Sequence, residues 1–334
     1  MATFPSSSKK GQLRGRQVEP IARSEILELL GSRPRRRDLL VEHLHLIQDR
    51  YGCISASHIV ALADEMRLAS VEVYEVATFY HHFDVVKDRE ARPPPLTIRV
   101  CDSITCSMFG AEHLIRGLEA GLKDGVRIQP VPCVGRCHAA PVAVVGTRPL
   151  DAATPDKVFE AVRSPATMAG AVSHLDYRQY RAQGGYQLLG SLHAGARPAE
   201  AVIGVLKDSG LRGLGGAGFP AGNKWDIVRE QPAPRLIAVN IDEGEPGTFK
   251  DRFYLERDPH RFLEGALIAA WATGAEAVYI YLRDEYAACR EILRNEIAAL
   301  QADPPCPIPP LHLRRGAGAY ICGEESAMIE SIEG

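Results

Sequence analysis

The sequence lacks several features that would place it in a common class of protein. No apolar run approaches the roughly 18–20 residues that a membrane-spanning helix needs, and no signal-peptide pattern is present. The net charge is only −3 at pH 7, so the whole chain offers no electrostatic argument for binding nucleic acid or a membrane surface. The eight cysteines include no C-x-x-C pair, which excludes a thioredoxin-type redox motif. Without a signal peptide, we expect a cytoplasmic protein whose paired cysteines are metal ligands or redox centres.

The first 36 residues are basic and contain few regularly spaced apolar residues. Glu19 is the first acidic residue, and Ser, Lys and Arg dominate the sequence before it. An organellar presequence would also be poor in acid, but it would be amphipathic. We therefore predict a basic disordered tail over residues 1–36.

Residues 37–165 change from a helical period to an alternation of strands and helices. Apolar residues at helical spacing predict three helices over 37–95, the first of which stops at Gly52. Over 96–165 the predicted order is strand, helix, strand, strand with turn, and helix. This α+β order behind a helical part is typical of a small thioredoxin-like unit, which is the fold predicted for 96–165.

Residues 198–334 predict a second domain. A connector over 166–197 leads into it and contains one short helix at "GGYQLLGSL". Beyond residue 198, strands alternate with helices, which indicates an α/β layered domain. Gly334 follows directly on a helical pattern, so we expect this domain to be incomplete at its C-terminal end.

Two pairs of cysteines lie where predicted strands end. Cys101 and Cys106 frame "CDSITC", and Cys133 and Cys137 frame "CVGRC". Zinc sites usually pair ligands as C-x2-C, whereas wider pairs suit the larger cluster of two irons and two sulfides. The spacing favours an iron–sulfur site and leaves zinc, disulfides and structural thiols as alternatives.

A glycine-rich loop, "GLGGAG" from Gly213 to Gly218, matches the pattern G-x-G-x-x-G. A dinucleotide fingerprint requires a strand before the loop, and here a predicted helix precedes it, so the ordinary Rossmann interpretation fails. Consecutive glycines still let backbone N–H groups approach a phosphate or a flat ring. Lys224 could supply positive charge and Phe219 could stack on a ring. The alternative is a simple turn between two helices.

Acidic residues collect at two further loops. Asp242, Glu243 and Glu245 follow an apolar strand that ends at Asn240. Like charges this close cost free energy unless a ligand donates hydrogen bonds to them, and the alternative is a solvated acidic turn. A second strand leads through a Gly-rich turn to a pair of glutamates, Glu324 and Glu325, at a helix N-terminus, where anions are stabilised.

Together, the motifs "CDSITC…CVGRC", "RGLGGAGFPAGNKW", "NIDEGEPGTFKDR" and "GAGAYICGEESAMIESIEG" resemble one known assembly. It is the NADH-oxidising module of respiratory complex I, with a [2Fe–2S] subunit of the 24 kDa type placed ahead of a flavin subunit of the 51 kDa type in one fused chain. Similar fusions serve as diaphorase subunits of NAD-reducing hydrogenases and of NAD-dependent formate dehydrogenases. The phrases "RPRRRDLLVEHLHLIQDRYG", "TIRVCDSITCSMFGAEHL" and "GLRGLGGAGFPAG" look most similar to the beta subunit of a formate dehydrogenase.

This resemblance implies a role for each motif. The four cysteines Cys101, Cys106, Cys133 and Cys137 would hold a [2Fe–2S] cluster, and Phe219, Glu245 and Glu325 would contact NAD(H). FMN would be lined by glycines together with polar and acidic side chains: Gly213, Gly215, Gly216, Gly218, Lys224, Asn240, Asp242, Glu243, Tyr320, Gly323 and Glu324. No side chain would act as a nucleophile or general base, because FMN itself would exchange the hydride while Glu245 and Glu325 assist nicotinamide placement.

The implied function is electron transfer in an NAD-dependent formate dehydrogenase. The partner would be a molybdenum- or tungsten-containing catalytic alpha subunit with further iron–sulfur clusters. A diaphorase subunit of an NAD-reducing hydrogenase, or a subunit of an NADH:quinone oxidoreductase, is the alternative. A [4Fe–4S] cluster is expected only in the missing C-terminal part of the family pattern. Other classes of function are a zinc-binding interaction module and a simple thioredoxin-like electron carrier.

Overall fold

A computed structural model describes residues 15–88, 90–122, 125–164 and 172–334. The chain separates into two compact units, one ending at Pro93 and also including Gly334, the other spanning Pro94–Glu333. Within the described ranges, no helix combines the length and the apolar character that crossing a membrane requires.

The first unit is mainly helical. Its elements are helices α1 Pro20–Leu30, α2 Leu40–Tyr51, α3 Ala56–Met66 and α4 Ser70–Phe79, and the short parallel strands β1 Ile54–Ser55 and β2 Val85–Val86. Helix α2 ends at Gly52, whose left-handed φ of 71° suits glycine. Ser55 caps α3, because its hydroxyl oxygen accepts a hydrogen bond from the His58 N–H at 3.1 Å. The three helices predicted over 37–95 are therefore present as α2, α3 and α4.

Helix α1 corrects the prediction of a disordered tail over residues 1–36. Pro20 occupies its first turn and Gly31 follows its last residue, while Ala22, Ile26 and Leu30 are buried four residues apart. This spacing places the three apolar side chains on one face, which packs against the rest of the unit. Residues 1–14 of the predicted tail lie outside the described residues.

A four-stranded sheet opens the second unit. Its elements are β3 Leu96–Cys101, α5 Ile104–Met108, α6 Ala111–Gly121, β4 Val126–Val131, β5 Ala143–Val145, β6 Arg148–Leu150 and α7 Pro155–Arg163. The strand order is β4–β3–β5–β6, with β3 and β4 parallel and the other pairs antiparallel. Helices α6 and α7 cover a core that includes Ile98, Leu118 and Val158. The predicted single strand with turn near residue 145 is a β5–β6 hairpin.

Two short helices in the predicted connector, α8 Tyr177–Ala182 and α9 Gln187–His193, pack against the following domain. The second is the helix predicted at "GGYQLLGSL", and residues 165–171 lie outside the described ranges. Buried Glu264 accepts hydrogen bonds from the Tyr180 hydroxyl at 2.7 Å and from the Tyr186 N–H at 2.9 Å. These bonds fix the connector on the domain that follows.

A three-stranded parallel sheet forms the rest of the second unit. Its elements are α10 Ala199–Ser209, α11 Ala221–Arg229, β7 Leu236–Ile241, α12 Lys250–Leu255, α13 Pro259–Thr273, β8 Ala277–Leu282, α14 Ala287–Ala302, β9 Leu311–Arg315 and α15 Glu325–Glu333. The strand order is β7–β8–β9. Because the strands are parallel, the loops that follow Ile241, Leu282 and Arg315 leave the same edge of the sheet, the usual location of a site in such folds.

Candidate cofactor sites

The four predicted cysteine ligands come from two neighbouring parallel strands. Cys101 is the last residue of β3 and Cys106 lies in α5, which follows that strand. Cys133 follows β4, and Cys137 starts a 3-10 turn over Cys137–Ala139. Because β3 and β4 run in register from Leu96 beside Val126 to Cys101 beside Val131, their carboxyl ends bring the four thiols to one edge.

The thiols contact one another and fit a cluster with four sulfur ligands. Sγ of Cys133 lies 3.3 Å from Sγ of Cys137, and the Cys101 thiol contacts those of Cys106 and Cys133. The hydrogen bond with Cys101, together with burial, raises the pKa of the Cys133 thiol. None of the eight cysteines forms a disulfide, which removes one alternative. A tetrathiolate set serves either zinc or an iron–sulfur cluster.

Two backbone N–H groups donate to the sulfur atoms of predicted ligands. The Gly135 N–H lies 3.4 Å from Sγ of Cys133, and the Gly247 N–H lies 3.1 Å from Sγ of Cys137. Gly135 has a φ of 70°, and a Cβ there would lie 2.8 Å from Cζ of Tyr286. A side chain at this position would therefore displace the tyrosine ring, which explains the glycine in the cysteine loop (residues 133–137).

The glycine loop joins two helices, as the sequence predicted, so it has no Rossmann context. The Gly213 N–H donates to the Phe219 carbonyl oxygen at 2.9 Å, and the Ala221 N–H donates to the Leu211 carbonyl oxygen at 2.8 Å, which closes the loop at its base. A Cβ at three of its glycines would meet no atom within 4 Å: Gly215, Gly216 and Gly218. Gly216 and Gly218 have φ values of 98° and 61°, which favour glycine, and the uncovered backbone of the loop suits the approach of a flat or anionic ligand.

Exposed side chains accompany the glycine loop. Phe219 is 46% exposed, and Lys224 is exposed at the start of α11. Within the described ranges, the Lys224 ammonium has no hydrogen-bond partner. Both side chains are accordingly available to a ligand.

The loop after β7 is tied to the turn after β9 by Asn240. Its amide nitrogen donates to the Gly323 carbonyl at 2.8 Å, and its amide oxygen accepts from the Asp242 N–H at 3.0 Å. Asp242 is 8% exposed, and its Oδ2 has no hydrogen-bond partner. Burial, with the nearby Glu285 charge, raises the pKa of Asp242 to about 7. A buried acceptor without a donor is the feature expected of a side chain that binds a ligand.

Glu243 is buried, at 5% exposed, and the FMN-lining role expected for it stays a prediction. Its carboxylate accepts from the Tyr286 hydroxyl at 2.9 Å and from the Asp251 N–H at 3.2 Å, and it lies 3.4 Å from the Lys250 ammonium. The Asp251 N–H is in the first turn of α12, where backbone donors need acceptors. Glu243 therefore stabilises the acidic loop (residues 242–249, between β7 and α12) against α12 and α14.

The two glutamates at the final helix differ in environment. The Glu324 carboxylate accepts from the Ser326 and Ala327 N–H groups, each at 3.0 Å, and so caps α15. Its hydrogen bonds to Ser326 lower the pKa of Glu324. Glu325 and Glu245 are exposed, which leaves both available to a ligand.

Tyr320 completes a small pocket between the cysteine loop and the acidic loop. Its side chain is 59% exposed, and a Cβ at Gly244 would lie 2.8 Å from its ring. The pocket is lined by Pro132, Cys133, Asp242, Gly244, Arg283, Glu285, Gly318, Ala319 and Tyr320. Of the predicted residues, the pocket thus brings Asp242 and Tyr320 together with Cys133, whereas no hydrogen bond joins the glycine loop to that group within the described residues.

Sequence reasoning missed two arginines that hold the cysteine loop. Arg283 follows β8 and donates to the Cys133 carbonyl oxygen. Arg252, in α12, donates through Nε to the Gly135 carbonyl oxygen at 3.2 Å. A charged residue directly after the apolar run "AVYIYL" was a signal for Arg283, whereas no local pattern singles out Arg252.

Comparison with known protein families covers most of the chain. Residues 26–165 match the family described as "Thioredoxin-like [2Fe-2S] ferredoxin", and residues 206–334 match "Nuo51 FMN-binding domain". These matches confirm the predicted fold class and favour a [2Fe–2S] cluster over zinc for the first part of the chain, while its assignment to the four thiols stays a prediction. The predicted cofactors FMN, NAD(H) and [2Fe–2S] are confirmed by the two families and by an NAD-reducing relative.

Individual relatives match one or both parts of the chain. The alpha subunit of the NAD-reducing hydrogenase HoxS from Cupriavidus necator is 29% identical over 340 residues, covering 89% of this chain and 56% of that protein. The mitochondrial NADH-ubiquinone oxidoreductase 51 kDa subunit from Neurospora crassa is 47% identical over 146 residues, covering 40% of this chain and 30% of that protein.

A solved structure extends the similarity to three dimensions. The crystal structure of an NAD+-reducing [NiFe]-hydrogenase in the H2-reduced state matches with a TM-score of 0.71 and 30% identity, covering 90% of this chain and 55% of that one. The chain therefore spans about half the length, or less, of the proteins it matches.

Proposed function

We propose a function for this chain from one premise: it belongs to the family of complex I-like NADH dehydrogenase modules, which join a thioredoxin-like [2Fe–2S] part to a Nuo51-type FMN-binding part. The chain exchanges hydride between NAD(H) and FMN, and single electrons with iron–sulfur centres. It is the NADH dehydrogenase or diaphorase component of an oxidoreductase. The observation that carries the proposal is the single compact unit, Pro94–Glu333, which contains both the four thiols and the flavin-binding segments.

FMN supplies the link between two-electron hydride transfer and one-electron transfer, because flavins take part in both. The residues of the chain bind and orient it. Backbone N–H groups of the glycine loop and the Lys224 ammonium, which lacks a partner in the described ranges, suit the flavin phosphate. Asn240, Asp242 and Gly323, already joined by hydrogen bonds or close contact, line the flavin together with Tyr320. Glu243 and Glu324 shape the site by holding its loops.

NAD(H) is assigned to the exposed side chains Phe219, Glu245 and Glu325. An aromatic ring stacks on a flat base or nicotinamide, and carboxylates accept hydrogen bonds from ribose hydroxyls or a carboxamide. No nucleophile or general base is needed for hydride exchange.

The electron donor or acceptor beyond the clusters lies in a partner subunit. The hydrogenase relative covers both parts of this chain, which supports a diaphorase subunit of a multi-subunit complex like an NAD-reducing hydrogenase or an NADH:quinone oxidoreductase. The formate dehydrogenase prediction is a second candidate, and its support is the resemblance of three sequence phrases around Arg37, Cys101 and Gly213.

The test is purification of the chain together with its natural partner subunits. NADH–ferricyanide activity with bound FMN is the result expected of the module, and its absence in the intact complex contradicts the proposal. NAD+ reduction is then measured with hydrogen and with formate as separate electron donors. Activity with only one of them assigns the complex to that donor.

A further inference from the structure

Arg283 lies at the contact between the cysteine loop and the acidic loop. It follows β8 and is 3% exposed. Its guanidinium donates to the backbone carbonyl oxygens of Glu243 and Cys133. One of the carbonyls that it binds therefore belongs to a predicted ligand of the [2Fe–2S] cluster.

Glu285 is the ionic partner of Arg283. Its carboxylate accepts from Nε at 3.1 Å and from Nη2 at 2.9 Å, which is the two-point geometry that guanidinium and carboxylate groups favour. Both residues line the small pocket that also includes Cys133 and Asp242. The flavin-binding part thus places a cation and an anion beside the cysteine loop.

Charges in this position act strongly on a nearby redox centre. The Arg283 side chain is 4% exposed and that of Glu285 is 24% exposed, and buried or partly buried charges are screened much less by salt and water than surface charges. The reduction potential of an iron–sulfur cluster depends on net charge, hydrogen bonding and exposure. One-electron reduction adds one negative charge to the cluster, so a neighbouring cation favours the reduced form and a neighbouring anion opposes it.

We propose that Arg283 and Glu285 are positioning residues whose opposite charges set the reduction potential of the [2Fe–2S] cluster from the flavin-binding part of the chain. The proposal rests on the proposed function, in which that cluster exchanges single electrons with FMN. The positive charge of Arg283 raises the reduction potential of the cluster, and the negative charge of Glu285 partly cancels this increase. Neither residue takes part in the electron transfer or hydride transfer itself.

The test is an EPR-monitored redox titration of the chain carrying its cluster, using Arg283→Met, Glu285→Gln and the double variant. We expect Arg283→Met to lower the midpoint potential and Glu285→Gln to raise it, each by about tenfold in the one-electron equilibrium, or about 59 mV. The double variant should return towards the unaltered value, because it removes both charges. Arg229→Met is the control, since that guanidinium pairs with Glu200 and donates to Ala272.

Opposite shifts of the midpoint potential in Arg283→Met and Glu285→Gln distinguish an effect of charge from an effect of loosened packing. Shifts of the two single variants in the same direction, or midpoints equal to that of the control, overturn the proposal. If Arg283→Met fails to fold, Glu285→Gln still decides, because an unchanged or lowered potential contradicts the proposal. Absence of any [2Fe–2S] signal from the unaltered protein would instead contradict the proposed function.

Discussion

The backbone N–H of Gly247 donates a hydrogen bond to Sγ of Cys137 at 3.1 Å, across 110 residues of sequence. Gly247 sits at the third position of a turn closed by the Thr248 N–H and the Glu245 carbonyl oxygen at 3.1 Å. With Pro246 before it and a φ of 92°, this is the residue order of a type II turn. The turn that begins at Glu245 thus also contacts Cys137, a predicted ligand of the cluster.

Replacement of one cysteine ligand tests the cluster assignment. We expect Cys101→Ser to abolish the visible and EPR signals of the [2Fe–2S] cluster, because the Cys101 thiol contacts two of the other three ligands. Cys306→Ser is the matched control, since Cys306 lies in a distant Pro-rich loop of the sequence. An intact signal in Cys101→Ser would show that the ligand assignment is wrong.

Removal of two exposed side chains tests the nucleotide site. We expect Phe219→Ala combined with Glu245→Ala to reduce kcat/KM for NADH by at least about tenfold in the NADH–ferricyanide assay, which corresponds to about 1.4 kcal/mol of lost transition-state stabilisation. Bound FMN is measured in parallel to exclude flavin loss. The control is Leu188→Ala on α9, an exposed apolar residue outside the glycine and acidic loops. Unchanged kinetics in the double variant would place the nucleotide elsewhere.

The packing of α11 against α10 depends on a glycine. A Cβ at Gly222 would lie 2.7 Å from the Lys207 backbone nitrogen and 3.1 Å from the Ile203 carbonyl oxygen. We therefore expect Gly222→Ala to lower the free energy of unfolding by about 1–3 kcal/mol, as overpacking usually does. Urea unfolding of the purified chain measures the change.

Gly204, within α10, is the matched control for Gly222. A Cβ there meets no atom within 4 Å, so Gly204→Ala should raise the free energy of unfolding by about 0.5–1 kcal/mol, the usual gain in a helix interior. Equal effects of the two substitutions would contradict the close helix contact.

The environment of Asp242 predicts a pH-dependent stability. Its usual pKa of 3.8 is raised to about 7 by burial and the Glu285 charge. Between pH 3.8 and about pH 7, the Asp242 carboxyl is ionised in the unfolded chain but still protonated in the folded state. The free energy of unfolding therefore falls as pH rises through this range. Asp242→Asn removes this loss, and its stability relative to the unaltered protein should grow by about 1–3 kcal/mol from pH 5 to pH 8.

Denaturant unfolding without added FMN, at both pH values, checks the Asp242 prediction. Asp208→Asn at the exposed end of α10 is the control, because folding leaves that side chain in water. A variant whose relative stability is the same at pH 5 and pH 8 would mean that Asp242 is not buried as a proton-binding group.

Most of the fold follows from local patterns in the sequence. Apolar spacing before Gly52 predicts α2, and Ser55, which caps α3, is a residue type typical of a helix start. The continuous apolar run of β8 is typical of a central parallel strand covered on both faces, whereas the edge strand β7 leaves Leu236, Ala238 and Asn240 exposed. Helix α1 was missed because the basic composition of the surrounding residues outweighed the four-residue spacing of Ala22, Ile26 and Leu30.

The site was only partly predictable. The four cysteines end neighbouring parallel strands, so their spacing and the strand pattern together indicate one site. The contacts of Arg283 with Cys133 and of Arg252 with Gly135 span 150 and 117 residues, and no local spacing carries such information. The sequence of the acidic loop likewise does not show which of its carboxylates points into the protein. The Glu243 carboxylate does, because the Tyr286 hydroxyl and the first turn of α12 donate hydrogen bonds to it.

The fit between Gly135 and Tyr286 limits how this chain can be divided or recombined. The cysteine loop has no side chain where the tyrosine ring lies, and the buried guanidinium of Arg283 depends on a carbonyl from the same loop. A chimera whose ferredoxin part carries a side chain at the position of Gly135 would displace the Tyr286 ring. Recombination between relatives must therefore exchange the cysteine loop together with the segment after β8.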